Sequence, residues 1–162
     1  FLDRKGKAGI QLMSELRELY QEIILDHNKN PRNFGPLSSA NRSREGYNPL
    51  CGDHLHIHVE ISDGRLNAIT FEGSGCAISK ASASLMTSAL KGKSIEEAVN
   101  IFTDFHSMVT ADVSVPVDEK KLGKMAIFAG VREFPMRVKC CTLAWHAVNS
   151  ALTDNDNVVS TE

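Results

Sequence analysis

The chain has 162 residues, a net charge of −2 and 42% hydrophobic residues, which is the size and composition of one soluble globular domain. The near-neutral charge excludes the polybasic signature of a nucleic-acid binder. No uncharged apolar run approaches the about 18 residues needed for a membrane span, and no apolar segment follows Lys5 and Lys7 to make a secretory signal.

The first dozen residues are charged and lack periodicity, so they are expected to be a tag or disordered extension, with the fold beginning at Met13. Leu16, Leu19, Tyr20, Ile23 and Ile24 recur at helical spacing behind Ser14, a suitable N-cap. That helix is expected to end near Asn28, ahead of the Asn30-Pro31 and Gly35-Pro36 breakers. The polar stretch from Pro31 to Pro49 reads as loop and delivers the chain to Cys51.

From His54 to Ile61 the chain alternates, with Leu55, Ile57, Val59 and Ile61 on one face and His54, His56, His58 and Glu60 on the other. That is a half-buried strand. Ser62-Asp63-Gly64 is turn chemistry, and Arg65 to Phe71 returns as the second arm of a hairpin. A helix is predicted to open at about Cys76 and stop at Gly92. Ser94 with Glu97 is a capping-box pattern for the next, with Ile95, Ala98, Ile101 and Phe102 facing inward. Met108 to Pro116 reads as a non-helical connection, Lys121 to Val131 as helix, and Cys140 to Leu152 as a final helix. Thr153 to Glu162 reads as a flexible tail. The expectation is one α+β domain over residues 13–152, a small antiparallel sheet packed against several helices.

Four cysteines without a secretion signal suit a reducing compartment, where free thiols serve metals or sulfur chemistry. In Cys51-Gly52-Asp53 the glycine lets the backbone bend, so a thiolate and a carboxylate can turn toward one point. Cys76 follows Gly-Ser-Gly at a predicted helix mouth, where exposed N–H groups lower a thiol's pKa. Cys140 and Cys141 open the last predicted helix, with Arg137 and Lys139 just before as cations beside the thiolate. Adjacent helical residues diverge by about 100 degrees, so Cys140 is taken as the ligand and Cys141 as a packing residue. Three thiolates and a carboxylate suit tetrahedral zinc, and equally an iron–sulfur cluster. No Cys-x-x-Cys is present, so only the fold can unite them. The alternation accounts for His54, His56 and His58 as a solvated strand face. The outer two lie about 13 Å apart, so only neighbouring pairs are within reach of one ion.

Four separated segments carry a resemblance. They are Leu19-Tyr20 with Ile24-Leu25-Asp26-His27 and Asn30-Pro31-Arg32-Asn33; Asn48-Pro49-Leu50-Cys51-Gly52-Asp53; Gly75-Cys76-Ala77-Ile78-Ser79; and Lys139-Cys140 with Thr142-Leu143-Ala144-Trp145. In this order they resemble the SufU branch of the IscU/NifU N-terminal iron–sulfur cluster assembly family, over nearly everything from Met13 to Leu152. The 64 residues from Cys76 to Cys140 match the longer interval of that branch, and Lys139 stands where IscU-type scaffolds carry histidine. Cys141 departs from the family, which commonly has a small residue there.

The resemblance implies that Cys51, Asp53, Cys76 and Cys140 are metal ligands and that the ion is zinc. It implies a cytoplasmic partner of a SufS-like cysteine desulfurase, with Cys51 as the persulfide acceptor, rather than a free-standing enzyme. The alternative on the same residues is a scaffold that builds a [2Fe-2S] cluster and hands it to acceptor apoproteins.

Overall fold

The alternation in His54–Ile61 becomes the central strand of the domain. In the computed structural model, which describes residues 4–153 and 159–160, β1 (Arg42–Asn48), β2 (Asp53–Ser62) and β3 (Arg65–Ser74) form an antiparallel meander. β4 (Val159–Ser160) adds a two-residue parallel bridge to β1. The helices are α1 (Arg4–Lys29), α2 (Ala77–Leu90), α3 (Ile95–Thr110), α4 (Glu119–Leu122) and α5 (Pro135–Leu152), with a 3-10 helix over Gly123–Glu133 before α5. The remaining residues at either end, including most of the predicted tail, lie outside the described residues.

Leu55, Ile57 and Val59 are fully buried, and Leu66, Ile69 and Phe71 of β3 extend the same apolar face. Asp63 and Gly64 both take positive φ, at 52° and 73°, as a two-residue hairpin turn matched to strand twist requires. Helices α2 and α5 cover the apolar face. Trp145 stacks on Phe105 of α3 with ring centroids 4.3 Å apart, and its indole N–H donates to Ser82 Oγ at 3.0 Å. Such an aromatic pair contributes about 0.5–1.5 kcal/mol beyond the area it buries.

The structure departs from the sequence reading in five places. α1 runs unbroken from Arg4 to Lys29, so Ser14 lies inside the helix rather than ahead of it. Its inward residues are Tyr20, Ile23 and Ile24, while Leu19 is exposed. The stretch read as loop before Cys51 contains β1, whose inner face carries Arg42, Arg44, Gly46 and Asn48 and so shows no apolar alternation. α3 continues through the buried Met108 and Val109 to Thr110, the β-branched residues being carried by tertiary packing. The helix expected over Lys121–Val131 is a single α turn followed by 3-10 geometry. α5 starts at Pro135, because proline at the first helical position forfeits no hydrogen bond, and Cys140 therefore sits in its second turn. The Ser94/Glu97 capping box is present as expected, with both reciprocal bonds formed. Among the described residues no helix is long and apolar enough to cross a membrane.

Two glycines set how closely these elements approach. A Cβ on Gly46 would lie 3.2 Å from the Leu143 side chain, so β1 and α5 meet almost backbone to side chain. Gly73 has φ of +127°, and a Cβ there would fall 2.1 Å from His54 O, inside the β2–β3 ladder. Gly73→Ala is expected to destabilise the domain by about 3 kcal/mol or more, combining strained backbone with a steric clash that cannot relax locally. Urea unfolding followed by far-UV circular dichroism measures it.

Candidate metal centre

The hairpin between β1 and β2 closes on the pair Asn48 and Asp53, leaving Pro49-Leu50-Cys51-Gly52 as its tip. Gly52 N–H donates to Asn48 O at 2.8 Å, and Leu50 N–H donates to Asn48 Oδ1 at 3.2 Å. Gly52 takes φ +73°, which folds the tip back so that Cys51 and Asp53 address the same region. Cys51 is exposed, whereas Asp53 and Asn48 have no solvent exposure.

Helix α5 brings the third group. Cys140 is one turn ahead of Leu143 and two ahead of Ala147, and those two residues pack against Gly46. The same stripe of α5 therefore carries Cys140 over the end of β1. Asn48 Nδ2 donates to Cys140 Sγ at 3.7 Å, and Cys140 Sγ lies 3.2 Å from Cys51 Sγ. Ligand atoms of Cys51, Asp53 and Cys140 all fall within 4.8 Å of one another.

Cys76 enters through Asp53. It is the N-cap of α2, and its sulfur accepts from Ser79 N–H at 3.4 Å. Its own N–H donates to Asp53 Oδ1 at 2.8 Å, and its thiol lies 3.9 Å from Asp53 Oδ2. The carboxylate thus joins the head of β2 to the mouth of α2. A Cβ on Gly75 would lie 3.0 Å from Asp53 Oδ1 and 3.2 Å from Ser79 Oγ, so the carboxylate occupies a cradle that only glycine leaves open.

All four sequence-selected residues are therefore brought together, three in mutual reach and Cys76 against the carboxylate. The neighbouring expectations fare differently. Cys141 is fully buried with Sγ 3.8 Å from Ser82 Oγ, in the core beside Trp145. Arg137 is exposed and lays its guanidinium over Phe134, 4.7 Å from the ring centroid, so no contact with the thiols is formed. Lys139 is half-buried and has no ion pair among the described residues. Cys140 therefore lies past the helix mouth, in the second turn of α5, and the Arg137 guanidinium is engaged by Phe134. Burial, then hydrogen bonds to Cys51 and Asp53, then the charges of Cys76 and Asp53, push the Cys140 thiol well above its ordinary range. Burial raises Cys141 likewise. Asn48, Gly75 and Ser79 shape the site without having been singled out. All three stand inside the motifs named above, but only the fold shows what they touch.

A buried carboxylate packed with three thiols, and no ion pair to any of them among the described residues, is a concentration of potential negative charge that a cation resolves. The donor set, three sulfurs and one oxygen, matches what zinc accepts in four-coordinate sites. Sulfur-rich ligation suits an iron–sulfur cluster as well.

Two outcomes follow from this geometry. In chelator-treated protein at about pH 8, close to the ordinary thiol range, iodoacetamide should label the exposed Cys51 and Cys76 first. The buried, protonated Cys140 and Cys141 should stay unmodified until the chain is unfolded, as read by peptide mass spectrometry. Gly75→Ala should leave the fold intact and weaken zinc binding about tenfold by displacing the Asp53 carboxylate, as read by chelator competition.

Against known proteins, the sequence model of the NifU-like N-terminal domain matches residues 19–154. The chain is 39% identical over 145 residues to the iron–sulfur cluster assembly scaffold protein IscU of Streptococcus pyogenes serotype M1, covering 90% of this chain and 89% of that protein. It is 38% identical over 146 residues to the zinc-dependent sulfurtransferase SufU of Bacillus subtilis strain 168, covering 88% and 95%. A crystal structure of a Fervidobacterium islandicum AW-1 protein, put forward as an iron–sulfur cluster assembly scaffold for the SUF system, superposes with a TM-score of 0.74 at 34% identity, covering 81% of this chain and 94% of that one. The chain belongs to the NifU-like N-terminal domain family.

Proposed function

We propose that this protein serves iron–sulfur cluster assembly by accepting sulfur from a SufS-like cysteine desulfurase at Cys51. Cys51, Asp53, Cys76 and Cys140 would hold a zinc ion. The observation that carries the reading is an exposed thiol on a hairpin tip, 3.2 Å from a buried thiol, with a buried carboxylate behind both.

The thiols are not equivalent. Cys140 is 3% exposed and beyond the reach of an incoming persulfide. The Cys76 sulfur is engaged by Ser79 N–H and sits against Asp53. Cys51 is exposed and attached only through a turn, so it can meet a protein-borne persulfide. In the transfer, the Cys51 thiolate attacks the outer sulfur of the desulfurase persulfide. A new S–S bond forms at Cys51, the old one breaks, and the desulfurase cysteine leaves as thiolate, with no net oxidation. Bound zinc would supply a Lewis acid that holds these thiols deprotonated near neutral pH. Asn48 orients Cys140 through its amide, and the Cys76 N–H fixes the carboxylate. The persulfide sulfur would pass to downstream assembly or acceptor apoproteins. Free, exposed thiols suit a reducing cytoplasm, where the reading places the chain.

The second reading makes the cluster itself the cargo, a [2Fe-2S] unit assembled on the same four residues and passed on. The scaffold descriptions of the relatives from S. pyogenes and F. islandicum favour it.

Metal and acid-labile sulfide are measured on protein purified without oxygen, together with its visible spectrum. About one zinc per chain, no sulfide and no colour is expected. Iron with matching sulfide and charge-transfer bands would establish the scaffold reading instead. Cys51→Ala should fold and abolish stimulation of the desulfurase; full sulfur acceptance by that variant would overturn the role of Cys51.

A further inference from the structure

The outer face of the sheet carries a second cluster that the sulfur chemistry does not use. β1 and β2 pair with Glu45 opposite His56 and Tyr47 opposite His54, so Glu45 lies across from one histidine and diagonal to the other. Glu45 Oε1 contacts His54 Nε2. The His54 and His56 rings lie side by side, centroids 5.0 Å apart. One ligand atom from each of the three falls within 4.8 Å of the others. His58 is not part of the group: Ser43 Oγ sits 2.8 Å from its Nδ1 and Glu72 Oε1 2.9 Å from its Nε2, so both ring nitrogens are taken.

We propose that Glu45, His54 and His56 form a second metal site, for a divalent transition ion of the zinc, iron(II), nickel or copper type. Imidazole with carboxylate is the donor set these ions share, and three protein ligands leave positions open for water. An ion bonded at about 2.0–2.2 Å to each group needs ligand atoms roughly 3–4 Å apart, an adjustment of about 1–2 Å that rotamer changes in side chains of this length can supply. The His54 and Glu45 side chains are 43% and 39% exposed, so an ion can enter from solution without opening the fold. A plain His54–Glu45 ion pair accounts for two of the three residues. It leaves the His56 ring beside them without a side-chain hydrogen bond of its own among the described residues. The site is chemically distinct from the thiol pocket. Successive strand residues point to opposite faces, so Asp53 turns inward to the thiols and His54 outward to this cluster.

The test is a Zn2+ titration of the chelator-stripped full chain by equilibrium dialysis, run beside long-range 1H–15N NMR of the histidine rings. Two equivalents are expected, with the ring nitrogens of His54 and His56 shifting on the weaker one while those of His58 stay in place. The double variant His54→Gln/His56→Gln should lose one equivalent and keep the other, and Glu45→Gln should weaken the same equivalent about tenfold. Retention of both equivalents by the double variant, or the absence of any His54 and His56 ring shift in the wild-type protein, overturns the proposal. The ring readout uses the unaltered chain and is independent of how the variants fold. A single equivalent accompanied by those shifts would leave this site standing and overturn the thiol site.

Discussion

The buried carboxylate of Asp53 is the constraint on which the working end of this molecule depends. It has no solvent exposure, and its firm partner is the N–H of Cys76 at the mouth of α2. A carboxylate taken out of water without compensation is costly, so the chain can bury it only where donors or a cation meet it. The hydrogen bond to Cys76 meets part of that demand and sets where α2 begins relative to β2. The rest of the demand is the chemical opportunity: three thiols stand around the carboxylate, and burial keeps Cys140 protonated until something displaces the proton. The folded chain is therefore suited to the thiophilic cation proposed for it, whose binding would also deprotonate the thiols.

Packing far from the thiols sets their spacing. Gly46 lets α5 descend onto β1, and the stripe from Ala147 through Leu143 to Cys140 then points down the strand toward Asn48 and the hairpin tip. Trp145, stacked on Phe105 and hydrogen-bonded to Ser82, holds the other side of α5 to α2 and α3. Cys141, on that inner side, is a core residue despite its neighbour's role. The separation of duties between two adjacent cysteines comes from the roughly 100 degrees between consecutive helical positions.

The two faces of β2 divide the chemistry by hardness. Inward, the Asp53 carboxylate meets the sulfurs of Cys51, Cys76 and Cys140 where the hairpin tip, α2 and α5 come together. Outward, imidazoles and a carboxylate lie open to water, and the strand's alternation keeps the two sets apart although Asp53 and His54 are consecutive. Soft sulfur donors and borderline imidazoles held on separate surfaces would each favour a different ligand.

By itself the sequence determined those features that arise from local periodicity and local backbone chemistry. The alternation of Leu55, Ile57 and Val59, the Asp63-Gly64 turn, the Ser94/Glu97 capping box and the α2 mouth at Cys76 were all legible, because each needs only neighbouring residues to form. The choice of Cys51, Asp53, Cys76 and Cys140 was legible through quoted motifs, though no local spacing joins them. Tertiary structure decided the rest. β1 was hidden because its inner face is Arg42, Arg44, Gly46 and Asn48, residues that make a strand only with β2 beside it and α5 above. The start of α5 at Pro135 moved Cys140 away from the helix mouth, and the fold left Arg137 on Phe134 rather than near the thiols. The expected electrostatic activation of Cys140 was thus replaced by burial, which acts in the opposite direction. Desolvation depends on what surrounds a group in three dimensions, and sequence neighbours do not report it.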